Sequence, residues 1–108
     1  MIFVAETDER SLYTFVSEEE AIAYCEGVDV EAGVWLFWDD AGRPLQPSFS
    51  IPNKRGAISC ASGVYSLEPA TSSTLETLDD ALSTIFHFGT AGPLNTASKV
   101  RDYISQRK

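Results

Sequence analysis

Val34-Trp35-Leu36-Phe37-Trp38, running into Asp39-Asp40-Ala41-Gly42-Arg43-Pro44-Leu45, is the stretch that decides the fold. Consecutive bulky apolar residues, rich in aromatics, favour a strand. Strand neighbours alternate, so Val34, Leu36 and Trp38 take one face and Trp35 and Phe37 the other. Both faces then need cover, with helices over one and a loop or further helix over the other. The Asp-Asp-Ala-Gly-Arg that follows is a tight-turn signal.

Toward the N-terminus, Ile2-Phe3-Val4-Ala5 reads as a short strand and Thr7-Asp8-Glu9-Arg10 as a polar turn. Ser11-Leu12-Tyr13-Thr14-Phe15 alternates and is able to pair with the first strand as a hairpin. Ser17-Glu18-Glu19-Glu20 is a capping box, with Val16 placed to staple onto Ala21. Three glutamates in the first turn suit the positive end of the helix dipole. Ala21, Ile22 and Cys25 form the buried stripe, and Gly27 is expected to end the helix in a left-handed conformation.

Toward the C-terminus, Ser48-Phe49-Ser50-Ile51 alternates as a strand, and Pro52-Asn53-Lys54-Arg55-Gly56 reads as a turn. Ala57-Ile58-Ser59-Cys60 and Val64-Tyr65-Ser66-Leu67 are further strand candidates. Such regular turn spacing points to an antiparallel meander. Ser73-Thr74-Leu75-Glu76 is a second capping box. Leu75, Leu78, Leu82, Ile85 and Phe86 fall on one face of a long helix, stopped by Gly89 and Ala91-Gly92-Pro93. Asn95 or Thr96 caps a last helix that turns Val100, Tyr103 and Ile104 inward, with Arg101, Arg107 and Lys108 at its negative end. The expected fold is α+β, a single domain over residues 1–108. It has an antiparallel sheet of about five strands, helices on one side, and the order ββαβββαα.

A chain of 108 residues, 44% hydrophobic and 22% charged, has an ordinary globular composition. No apolar run approaches the length of a membrane span. The first residues reach an acid at Glu6 without a basic, then apolar, leader, so no secretion signal is expected. In that setting Cys25 and Cys60 are expected as reduced, buried thiols.

The net charge is -8, and it is lopsided. Residues 1–53 hold eleven acids against two bases, and residues 54–108 hold five against six. An acidic protein repels phosphate backbones, so direct nucleic-acid binding is disfavoured. It attracts basic proteins and speeds encounter with them.

Chemistry-bearing motifs are scarce. His87, the single histidine, lies between Phe86 and Phe88 and is expected to meet the last carbonyls of a helix. No CxxC occurs, and one imidazole does not make a zinc site. Glu18–Glu20, Asp39–Asp40 and Asp79–Asp80 are adjacent acids on helix starts or turns, where they are solvated rather than set across a cleft. No phosphate-cradling glycine loop appears. The chain therefore reads as a binding protein without catalytic residues, cofactor or metal. The exposed acids Glu18, Glu19, Asp29, Glu31, Asp39 and Asp40 are the expected contact residues, with Trp35 or Trp38 as an aromatic anchor.

The Ser-Glu-Glu-Glu-Ala helix start at 17–21, the link Gly27-Val28-Asp29-Val30-Glu31-Ala32-Gly33, and the aromatic strand running into Asp39-Asp40-Ala41-Gly42-Arg43-Pro44-Leu45 together resemble small bacterial immunity proteins. These are encoded beside the toxins of contact-dependent growth inhibition and other polymorphic toxin systems. The resemblance spans residues 1–68. It implies a cytoplasmic, non-catalytic protein that binds its cognate toxin's C-terminal domain as a heterodimer and covers the active site. The toxin domain is often a basic nuclease, with an RNase the leading candidate here, and carboxylates suit its phosphate-binding positions. The alternative from the residues alone is an adaptor, or a homodimer joined through the aromatic strand. A small hydrolase using His87 and a cysteine is a third reading.

Overall fold

A computed structural model describes residues 1–55, 60–61, 63–71, 75–89 and 94–107. Its centre is the aromatic stretch: β3 (Trp35–Trp38) lies beside β1 (Ile2–Glu6), antiparallel, with Phe3 opposite Trp38, Val4 opposite Phe37, Ala5 opposite Leu36 and Glu6 opposite Trp35. β1 also pairs antiparallel with β2 (Ser11–Phe15), the hairpin read from the sequence. On the other side β3 pairs with β4 (Pro44–Ile51), and β4 with β7 (Val64–Pro69). Between β4 and β7, β5 (Lys54–Arg55) and β6 (Cys60–Ala61) form a separate two-stranded ribbon. β8 (His87–Phe88) joins β2 in parallel, giving a six-stranded sheet in the order β7-β4-β3-β1-β2-β8.

The α+β class stands, but the helices pack on both sides of the sheet, and the sheet is mixed rather than wholly antiparallel. Residue alternation dictates the first difference. Phe3, Ala5, Leu12 and Trp38 point to one face, where they meet Leu78, Ala81, Leu82, Val100 and Ile104. These come from α3 (Leu78–Ala81), the 3-10 turn Leu82–Thr84, and α4 (Ala97–Ser105). Val4 and Phe37 point to the other face and meet Ala21, Cys25 and Val30 of the α1 (Glu18–Tyr24) and α2 (Gly27–Glu31) region, with Tyr65 of β7. A strand pair apolar on both faces needs a helical layer on each.

Local signals held where local chemistry decides. Ser17 caps α1, its hydroxyl accepting from the Glu20 amide at 3.3 Å. Glu20 reaches back to the Val16 amide instead of that of Ser17. Val16 is 77% exposed, so the expected staple onto Ala21 is not made. Thr96 caps α4, as one of the two expected candidates.

Gly27 does not end α1; it opens α2, a helix where a link is expected from the sequence. The glycine serves close approach, since a Cβ there would lie 2.6 Å from Asn53 Oδ1. The long helix over 75–86 is also replaced. Ser73 and Thr74 lie outside the described residues, and Thr77 is the cap, accepting from the Asp80 amide. The chain leaves the helix after Thr84, because Arg10 O accepts from the amides of Phe86 and His87 and Leu12 O from that of Gly89. An Ile-Phe-His-Phe run rich in β-formers takes that open sheet edge over further helix. His87 is therefore an exposed strand residue, not a helix terminus. The expected break at 91–93 lies outside the described residues.

Cys25 is buried and free. Burial, then the charges of Asp29 and Glu6, push its thiol up to about 12, which makes it an inert core residue. The side chain of Cys60 lies outside those described. Among the described residues no helix is long and apolar enough to cross a membrane.

Candidate functional site

The sequence offered two tryptophans and six acids as contact residues, and the fold divides them. Trp38 is 2% exposed in the core, with its indole N–H donating to Glu76 O at 3.0 Å. It is thereby removed as an anchor, because its side of β3 is roofed by α3 and α4. Trp35 points the other way and remains half-buried at the surface.

Asp39 and Asp40 are engaged within the fold. Asp39 Oδ1 accepts from the amides of Ala41 and Arg43, both at 2.9 Å, and Oδ2 pairs with Arg43 Nε at 3.1 Å. These bonds and the left-handed Gly42 (φ 78°) build the turn into β4. Asp40 accepts from the Tyr103 hydroxyl and from Arg107 Nε at 3.1 Å, fastening α4 to the turn. Burial alone would raise its pKa, but the Tyr103 hydroxyl, the N-terminal amine and Arg107 together outweigh it and hold the carboxyl below its ordinary value.

Glu18 and Glu31 also have internal work. Glu18 accepts from the Leu67 amide on the outer edge of β7, closing a backbone donor of an edge strand. Glu31 accepts from Asn53 Nδ2 at 2.6 Å, and the same amide group donates to Gly27 O, tying α2 to the start of the β5–β6 ribbon. Glu19 is exposed on α1. Of the eight expected contact residues, the fold brings Asp29 and Trp35 together.

Three elements build the surface around those two. The β1 register sets Glu6 between Ser11 and Trp35 on the α1 side of the sheet. The β1–β2 turn carries Asp8 and Glu9, and the start of α2 carries Asp29, whose carbonyl accepts from the Val34 amide beside Trp35. Thr7 hydrogen-bonds Val34 O and draws the turn against the entry to β3. The Glu6 pKa is raised, first by burial and then by the charges of Glu9, Asp8 and Asp29. Among the described residues, the ion pairs fall on Asp39, Asp40 and Asp79, and none on Glu6, Asp8, Glu9 or Asp29.

Aromatic rings adjoin this acidic group. Tyr13 and Phe15 lie on the same sheet face as Trp35, and Tyr24 descends from the end of α1. Tyr24 sits 5.6 Å from Tyr13, 5.7 Å from Trp35 and 5.4 Å from Phe15, centroid to centroid. Tyr13 and Trp35 are 6.2 Å apart. Tyr24 is 52% exposed, so about half of its surface remains open to solvent at the rim of the group. The Tyr13 hydroxyl has a raised pKa, from burial first, then Tyr24 and Glu6, so it stays protonated at neutral pH.

Glu6, Asp8, Glu9, Tyr13 and Tyr24 escaped the sequence reading. Glu6 carried one usable signal: the period of β1 puts it on the face of Val4. Its neighbours depend on β1 pairing with β3, which local pattern does not encode.

On the opposite face, a cleft of about 340 Å3 is lined by Ala41, Gly42 and Ile104, with Arg43, Asp79 and Arg107 among its walls. Its charged groups are already matched, Arg43 to Asp39, Arg107 to Asp40, and Asp79 to Arg101 at 3.0 Å. Among the described residues, no three His, Cys, Asp or Glu side chains are grouped to hold a metal ion. Comparison of the chain with protein-family models, curated proteins and solved structures finds no match.

Proposed function

We propose that this chain is a non-catalytic binding protein of the immunity type, which occupies a basic toxin domain, with a nuclease the leading class, through the acidic and aromatic surface of the β1–β2 turn, α1 and α2. The observation that carries the reading is the uncompensated charge at Glu6. Asp8, Glu9 and Asp29 repel it in the isolated protein, so a cationic partner gains attraction and relieves repulsion in one step. The adjoining aromatic group supplies the apolar contact area that interfaces concentrate at their centre. The resemblance of residues 1–68 to immunity proteins supplies the partner class and the cytoplasmic setting.

Protection is the test. The chain is co-produced in bacteria with the toxin domain encoded beside its gene, and growth is followed. Rescue is expected from the native chain, and growth arrest from Glu6→Lys/Asp29→Lys. Association should slow as salt rises, because screening acts chiefly on encounter. Full protection by the double variant defeats the acidic-surface reading, and absence of a neighbouring toxin gene defeats the immunity assignment.

A further inference from the structure

Within its own fold this protein has solved the problem of holding an arginine beside a tyrosine and a carboxylate. The Arg107 guanidinium lies 3.8 Å from the Tyr103 ring centroid while its Nε pairs with Asp40 at 3.1 Å, and the Tyr103 hydroxyl donates to the same carboxylate. Arg10 repeats the ring contact, 5.2 Å over Phe86. The acidic surface carries similar parts without the arginine: tyrosines 13 and 24 against Trp35, Glu6 set opposite Trp35 on the same face, and Asp29 bonded through its carbonyl to Val34 at the entry to β3.

From this match we infer that the surface takes an arginine of the partner, its guanidinium stacked on the exposed Tyr24 ring and its charge balanced by Glu6 and Asp29. The inference rests on the reading of this face as the binding surface and names the side chain it selects. Arginine suits the place better than lysine. A planar, weakly hydrated guanidinium stacks on a ring and still presents N–H groups to a carboxylate at its edge, whereas an ammonium is compact and strongly hydrated. The aromatic neighbours brace the ring that receives it: Tyr24 is in contact with Tyr13, Phe15 and Trp35. Charge complementarity sets the sign of the occupant, and the flat ring face sets its shape.

Nona-arginine and nona-lysine peptides, titrated into the intact protein at low salt, provide the probe. The arginine peptide should bind about threefold tighter than the lysine peptide, the size of a solvent-exposed cation–ring contact. Tyr24→Leu should erase that difference, Tyr24→Phe should keep it, and Phe86→Leu should leave it unchanged. Far-ultraviolet circular dichroism checks that each variant is folded, and the Phe variant answers for the ring if the Leu variant is not. Glu6→Gln/Asp29→Asn should weaken both peptides. Equal affinity for the two peptides, or an arginine preference that survives Tyr24→Leu or disappears with Phe86→Leu, overturns the arginine seat and leaves the acidic surface standing. No binding of either peptide overturns both.

Discussion

The carboxylates of Asp40 and Glu6 belong to the two opposite layers of this protein, and their surroundings drive them in opposite directions. Asp40 faces α4, where a tyrosine hydroxyl and an arginine hold it ionised. Glu6 lies with α1 and α2, where burial and three neighbouring acids favour its proton. Formal charge counts the two alike. What separates them is whether the fold supplies a partner. Acids with internal partners build turns, join helices and close strand edges, and acids without them project a field. The surplus in residues 1–53 is therefore a mixture, and the outward share sits at Glu19 and Glu26 and, grouped beside Trp35, at Glu6, Asp8, Glu9 and Asp29.

The contrast should be widest at the large aromatics. Trp38→Ala is expected to destabilise the fold by about 3–5 kcal/mol, the usual range for truncating a large core aromatic. Urea unfolding measures this directly, and against a total stability of roughly 5–15 kcal/mol the variant is close to unfolding. Tyr24→Ala, at the edge of the opposite layer, should lose about 1 kcal/mol, because half of its surface already faces water. If Tyr24→Ala proved as damaging as Trp38→Ala, the Tyr24 group would be a second core and not a surface.

The two carboxylates provide the next comparison. Asp40→Asn removes a charged acceptor shared by Tyr103 and Arg107. A bond to a charged group is worth about 1.5–3 kcal/mol when buried, and this site is partly solvated, so a loss of about 1 kcal/mol at neutral pH is expected. Glu6→Gln should instead stabilise by a few tenths of a kcal/mol, about what relief of one surface repulsion yields.

Their pH dependences have opposite signs. The folded pKa of Asp40 lies below its ordinary 3.8, so its contribution is present above that value and disappears as pH falls through the lowered folded pKa. The folded pKa of Glu6 lies above its ordinary 4.5. Its penalty is therefore full above the raised folded pKa and fades as pH falls back to 4.5. Melting temperatures from pH 2 to 8 should show the acid-side loss reduced in Asp40→Asn and the penalty above 4.5 reduced in Glu6→Gln. Two variants with the same profile would erase the distinction between the layers.

Legibility followed the same division between local and distant chemistry. The Ser17 cap, the β1–β2 hairpin and the two-faced aromatic strand rest on neighbours in sequence, and all three are present. The helix expected through Phe86 failed because Arg10 and Leu12 offer backbone acceptors from some seventy residues away. Asp39-Asp40 read as an exposed binding hairpin because the sequence hides that Tyr103 and Arg107 return to meet it. Of the acidic surface, Asp29 and Trp35 were legible, and Glu6 was missed for the converse reason. Glu6 looked like the last residue of a short strand, and only the pairing of β1 with β3 sets it opposite Trp35.

Glu18 provides the smallest and most exacting test of where the surface ends. It lies on α1, the helix that carries Tyr24, yet its carboxylate accepts from the Leu67 amide on the edge of β7. Glutamine keeps an acceptor oxygen at that position and removes the charge. Glu18→Gln should therefore change stability by no more than about 0.5 kcal/mol, the scale of a partly exposed charge. It should also leave nona-arginine binding as it is, whereas Glu6→Gln weakens it. Glu18→Ala goes further, because it uncovers the Leu67 donor on a strand edge, and such edges recruit other chains. Sedimentation at rising protein concentration should then show association in Glu18→Ala and not in Glu18→Gln. If instead Glu18→Gln weakened the peptide as much as Glu6→Gln does, the outward field would extend along α1 to its N-terminus, and an acid with an internal partner would still act on the outside.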